Sequence, residues 1–139
     1  MRREYHSGTR WCIWRWKDIY WKGEIYLRRL HIFQCPLFAV MVHFISQPDK
    51  QLHQHDHPVS MLCFVLKGWY VERRGWRSRM INWVNWIPAE AVHRIWAVAR
   101  GGCITLVICG PRKREWGFWV ASEWIPWREY HQTYGGSTS

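Results

Sequence analysis

Apolar residues come along this chain in short runs, each cut off by glycine, proline or asparagine, and within several runs they alternate with polar ones. A period of two sends successive side chains to opposite faces of a strand, so the pattern predicts short strands and almost no helix. Residues 24–34 read as one strand, with Ile25, Leu27 and His31 on a shared face, ended by Cys35-Pro36. Residues 37–45 read as the next, and 46–50 as a loop of turn formers. Residues 61–72 form a strand pierced by Lys67-Gly68, residues 80–86 another that Pro88 stops, and residues 92–97 a third. Residues 103–109 are almost wholly apolar, which predicts a central strand covered on both faces. Two further segments, 112–120 and 124–130, close the fold. About eight short strands at fairly even spacing, with no internal repeat, predict an all-β jelly-roll or small barrel whose two sheets enclose a cavity.

The ends are harder to read. Trp11, Trp14 and Asp18 fall at helical spacing, whereas Trp14, Trp16 and Asp18 alternate, so periodicity leaves helix and strand open. The expectation is a Trp-rich flap packed over the barrel, with residues 1–20 as an N-terminal extension, 21–130 as one barrel and 131–139 as a disordered tail. Lys22-Gly23 reads as a turn ahead of the strand at 24–34.

Composition narrows the classes. A chain of 139 residues fits one domain with a core of its own. Five scattered cysteines without a C-x-x-C pair argue against a disulfide framework. No apolar run approaches a membrane span and the N-terminal residues lack the apolar core of a signal peptide, so a cytoplasmic protein without a membrane partner is expected. The net charge of +10 suits nucleic acid, acidic lipid or an anionic small molecule. Because the basic residues spread from Arg2 to Arg128 instead of clustering, nucleic acid is not the favoured partner and a small-molecule ligand is.

Chemistry concentrates at the histidines. His53, His55 and His57 alternate, so on a strand they share a face, and imidazole is a ligand for zinc, iron, nickel and copper. His93 follows a turn at Pro88, and two histidines from one strand with a third from another make three corners of a metal site, leaving positions open for water or substrate.

At these residues the sequence resembles the cupin superfamily, whose first motif runs Gly, five residues, His-x-His, three or four residues, Glu, six residues, Gly. His55-Asp56-His57 supplies the His-x-His and Gly68 the closing glycine, a register that sets His53 back at the rim. The second motif, Gly, five residues, Pro-x-Gly-x-x-His, three residues, Asn, is matched by Pro88 and His93. Departures are Met61 at the glutamate position, with Leu62 as the alternative, and Asn82, Glu90 and Ala97 where the second motif has Gly, Gly and Asn. The C-terminal Gly-Pro-Arg-Lys-Arg-Glu-Trp-Gly-Phe-Trp segment also resembles small uncharacterised cupin-like proteins of bacteria and phages.

The resemblance implies a cupin-type double-stranded β-helix and a divalent metal held by His55, His57 and His93, with iron first and zinc or nickel as alternatives. Without the glutamate, three neutral imidazoles leave the ion its full double charge, which favours an anionic substrate. An iron-dependent oxygenase acting on a small anionic or aromatic molecule is the leading reading. A non-enzymatic ligand- or partner-binding cupin with a degenerate site is the alternative, and a basic, Trp-rich nucleic-acid accessory protein the third. Glu90 is the candidate acid/base group, against the plainer reading of a solvent-facing turn residue. Met61, Arg112, Arg114 and Trp83 are candidates to line the substrate site. Asp56, between two inward histidines, should point away from the site, and a homodimer through edge strands is expected of such barrels.

Overall fold

A computed structural model describes residues 11–134. Six strands build the main sheet: β1 (Cys12–Trp21), β2 (Glu24–Gln34), β3 (Ala39–Ile45), β5 (Met61–Lys67), β8 (Val84–Ile87) and β10 (Cys103–Cys109), in the order β1-β2-β3-β10-β5-β8. A small sheet runs β12-β11-β4, from Glu123–Pro126, Gly117–Val120 and Gln54–His55. The third runs β7-β6-β9, from Arg77–Ile81, Tyr70–Arg74 and Arg94–Val98. Every strand pair is antiparallel, and one helix, α1 (Trp127–Tyr134), closes the described chain. No helix among the described residues is long and apolar enough to cross a membrane.

The apolar run 103–109 is central as its pattern predicts, because β10 lies between β3 and β5. Its inner side chains Cys103, Val107 and Cys109 are buried, and its outer ones are covered only in part by their neighbours. The stretch expected as a flap is instead strand β1, paired with β2 from Cys12↔Gln34 to Trp21↔Glu24. Alternation, not helical spacing, is the period that holds, and Lys22 and Gly23, both at positive φ, form the two-residue turn that fits a hairpin's twist. Trp14, Trp16 and Ile13 stay exposed on this edge strand. Residues 131–134, expected in a disordered tail, belong to α1, because Tyr130 stacks on Phe118 at 3.7 Å and Trp127 on Trp116 at 5.7 Å. Residues 1–10 and 135–139 of the expected extension and tail lie outside the described residues.

Gly68 ends β5 in the left-handed region at φ 78°, and a Cβ there would sit 2.5 Å from the Gly102 carbonyl oxygen. Only glycine lets the two turns touch at that end of the sandwich.

The inner face of the main sheet is not uniformly apolar. Met41, Met61, Cys63, Val107 and Ile87 form one buried cluster, and Ile45, Tyr70, Ile81 and Cys103 form another at the opposite end. Between and beside them run Arg29, His31 and His43, which the register of β2 and β3 brings to the same face. Burial, followed by the charge of Arg29, pushes the His31 pKa down to about 4 and that of His43 well below its usual value.

Two outcomes follow. Gly68→Ala should lower stability by about 1–3 kcal/mol in urea unfolding, and by clearly more than Gly75→Ala, whose added Cβ meets nothing within 4 Å; equal losses would remove the packing explanation. The second concerns acid. His31 and His43 resist protonation in the folded chain but accept it near 6.5 when unfolded, so the unfolded state binds more protons as pH falls. Stability should be level above about pH 7 and decline from about 6.5 toward 4, with a slope of up to about 1.4 kcal/mol per pH unit for His31; urea midpoints that do not move across this range would contradict it.

Candidate metal centre

The first motif meets the second through the backbone. His55 on β4 pairs with Phe118 of β11 on one side, and on the other forms an antiparallel bridge with His93. Each residue of that bridge gives its N–H to the other's carbonyl at 2.9 Å, and the His57 N–H reaches the Ala89 carbonyl at 3.0 Å. The turn at Pro88, closed by Ala91 N–H to the Pro88 carbonyl at 3.0 Å, supplies the approach. Residues 55–57 and 89–93 are thereby laced together, and alternation turns His55 and His57 to the same side as His93.

The three rings converge. Their centroids lie 4.7–5.1 Å apart, and one ligand atom from each falls within 4.8 Å of the others. His93 Nε2 stands 3.2 Å from His57 Nε2. Burial first, then the neighbouring histidines, pushes His57 well below its usual pKa; burial and the charge of His93 bring His55 to about 4 against the opposing pull of Asp49. Both are therefore neutral at pH 7, the form that binds metal. Trp116 and Phe118 wall His55 at 6.0 and 5.6 Å between ring centres.

Behind His93 stands Glu72, a residue that the pattern alone did not single out. Its Oε1 lies 2.7 Å from His93 Nδ1, and only 1% of its side chain is exposed. Burial alone would raise this carboxyl's pKa, but the hydrogen bond and charge of His93, with the charge of Arg74, outweigh it and hold the value at about 2. An ionised Glu72 accepts from the Nδ1–H of His93 and so leaves Nε2, on the His57 side, as the atom available to a metal. Arg74 at 3.1 Å and Arg79 at 3.5 Å share the carboxylate, and both donate to Asn85 Oδ1, whose amide donates to the Tyr70 hydroxyl at 2.9 Å. The donor set, three imidazoles with one oriented by a carboxylate, fits zinc, iron or another borderline divalent ion. The clue in the sequence was an acid two residues after Tyr70 on an alternating strand, hence on the same inward face.

The remaining candidates are scattered. Met61 is buried against Cys63, Ile87 and Val107. Glu90 is exposed on the turn after Pro88, and Trp83 is 73% exposed. Arg114 is committed elsewhere, with Nη1 at 2.7 Å from Asp56 Oδ2, and Arg112 is half-buried beside it in sequence. Asp56 does point away from the histidines, but into a second buried site, where it accepts from Gly117 N at 2.8 Å and Trp124 Nε1 at 3.0 Å. His53 is engaged apart from them, with its Nδ1 2.8 Å from the hydroxyl of the buried Tyr130.

No protein-family model matches the chain, and no curated protein matches it. Solved structures do. Rru_A2000 from Rhodospirillum rubrum, a cupin-2 domain, superposes with a TM-score of 0.61 at 12% identity, covering 86% of this chain and 84% of its own. An RmlC-like cupin from Shewanella frigidimarina gives 0.52 at 14% identity, over 70% and 86% of the two chains. FeII HppE gives 0.58 at 12% identity, with 69% of this chain covering 56% of that longer one. Likeness at such identities speaks to architecture, and the antiparallel sandwich that brings His55, His57 and His93 together is a cupin fold.

Proposed function

We propose that His55, His57 and His93 hold one divalent metal ion, with iron the favoured metal, and that the centre serves oxygen-dependent chemistry on a small anionic molecule. The observation that carries this reading is the convergence of three imidazoles within 4.8 Å, one of them oriented by a buried carboxylate. Iron(II), if held by these three residues, would supply redox and Lewis-acid chemistry toward dioxygen and an anionic molecule. The chain's own residues do the rest. His55 and His57 stay neutral through burial, Glu72 fixes the His93 tautomer, and Trp116 and Phe118 keep water from one flank of the centre. No carboxylate joins the three histidines in a ligand group among the described residues, so a bound ion would keep its double charge and draw an anionic partner. A fold likeness to FeII HppE agrees with iron as the metal to test first. That missing carboxylate also favours the second reading, a cupin that binds a small ligand without turning it over.

Protein purified without a histidine tag should contain near-stoichiometric metal, while His55→Ala and His93→Ala should each carry only traces; equal content in all three would sink the proposal. Glu72→Gln separates the orienting role from ligation. It should weaken metal affinity about 10–100-fold in competition with a chromogenic chelator while the far-ultraviolet circular dichroism stays that of the parent. Undiminished affinity in a folded Glu72→Gln protein would show that His93 needs no carboxylate behind it.

A further inference from the structure

Arg29 is an interior cation without an acidic partner among the described residues. It lies on β2 in register with His43 of β3, which in turn pairs with Thr105 of β10, so the three cross the inner face of the main sheet as one row. Its Nε donates to His43 Nε2 at 3.0 Å, and no other hydrogen bond or ion pair of Arg29 occurs among the described residues. Other arginines are neutralised: Arg28 by Asp18, Arg74 and Arg79 by Glu72, Arg114 by Asp56.

What surrounds Arg29 does not compensate it. Burial pushes Tyr26 and Cys109 up to about 12, so both are neutral at pH 7. His31 and His43 are kept neutral by burial, and the charge of Arg29 adds to the effect on each. A guanidinium does not give up its proton, and a buried one without a counter-charge is strongly disfavoured. Yet Arg29, His43, His55 and His57 all keep some accessible surface, whereas Met41 and Val107 on the same inner face are sealed. The bond to His43 fixes the plane of the guanidinium and leaves its Nη edge free, a fork that matches two oxygens of one acid group. Met41 and Val107, the next pair along this inner face from His43 and Thr105, pack in one cluster with Val59, two residues after His57, and with Ala91, two before His93, so the Arg29 row lies on the side of the core from which the histidine cluster is built.

We propose that Arg29, aimed by His43, docks the oxyanion group of a small molecule, a carboxylate or a phosphoryl group, whose remainder lies against His55, His57 and His93. The inference rests on the three-histidine centre as the reacting end, but the anchor itself needs no metal. It replaces Arg112 and Arg114 as the basic groups that meet an anionic substrate.

The test uses the full chain, metal-stripped and zinc-loaded, with acetate, oxalate, succinate, benzoate and inorganic phosphate as probes, read by melting temperature and by calorimetry. At least one probe should raise the Tm of the parent, carboxylates and phosphate reporting which acid group the fork accepts. Arg29→Met keeps the apolar stem and removes the charge. It should melt above the ligand-free parent and bind the best probe at least about tenfold more weakly, with Arg29→Lys between the two. A lower Tm for Arg29→Met, undiminished binding in it, or no shift of the parent by any probe would overturn the proposal. Metal content separates this from the function above: Arg29→Met should load zinc as the parent does, and His55→Ala should lose zinc yet keep the probe-dependent shift.

Discussion

The fold closes on the paired backbone bonds between His55 and His93. The His55 strand is two residues long and would have nothing to hold it in place alone, but it is sandwiched between β11 on one side and the His93 bridge on the other. Those bonds fix register, and register in a strand fixes which side chains face inward. A slip of one residue would turn Asp56 toward His93 and send both histidines to the layer where Asp56 now meets Arg114. The buried ion pair of Asp56 opposes that slip, since a carboxylate withdrawn from Arg114, Gly117 and Trp124 would be left charged and unsatisfied. Polar satisfaction outside the histidine cluster thus holds the geometry inside it.

Charge is sorted in the same way. The two buried acids are spent on arginines, Glu72 on Arg74 of its own strand and Arg79 of the next, and Asp56 on Arg114 of the loop before β11. The inner face of the main sheet carries imidazoles, the Arg29 guanidinium, thiols raised by burial and apolar side chains. Among the described residues the buried carboxylates are engaged with arginines, and Arg29 has no acidic partner. Anything anionic and small enough to enter would be favoured there twice, by the guanidinium and by a divalent ion on three neutral ligands.

Much of this was readable in the chain, for a physical reason in each case. The closing glycine at Gly68 selected His55 and His57 over His53 because a positive φ and a close approach to Gly102 admit no side chain, which makes the glycine a fixed ruler. The central place of residues 103–109 followed from apolar side chains on both faces. Glu72 escaped notice because a single acid in a strand reads as a surface residue until its inward face is known. Arg29 escaped for the same reason, and for a second: bulges at Ile19/Tyr20 and between His31 and Phe33 shift the alternation along β2, so Tyr26 and Gln34 are buried out of phase with Leu27 and His31. The helical turn after Pro126 was hidden because its hold is tertiary, the stacking of Trp127 and Tyr130 on aromatic residues ten or more positions earlier.

Met61 stands where the first motif has a carboxylate, and its surroundings explain why an acid there would be unwelcome. The side chain is buried between Ile87 and Cys109 in a cross-strand row and is packed in a cluster of methionine, valine, isoleucine, alanine and thiol groups. A carboxylate at this point would have to be desolvated, a cost that a metal ion or an unpaired cation such as Arg29 would have to offset. A methionine removes that cost in the metal-free protein and shifts the choice of counter-charge from the chain to its ligand. The same exchange accounts for Arg29. An interior that keeps an unpaired guanidinium and omits the motif's acid is one built to be neutralised from outside, by the molecule it binds.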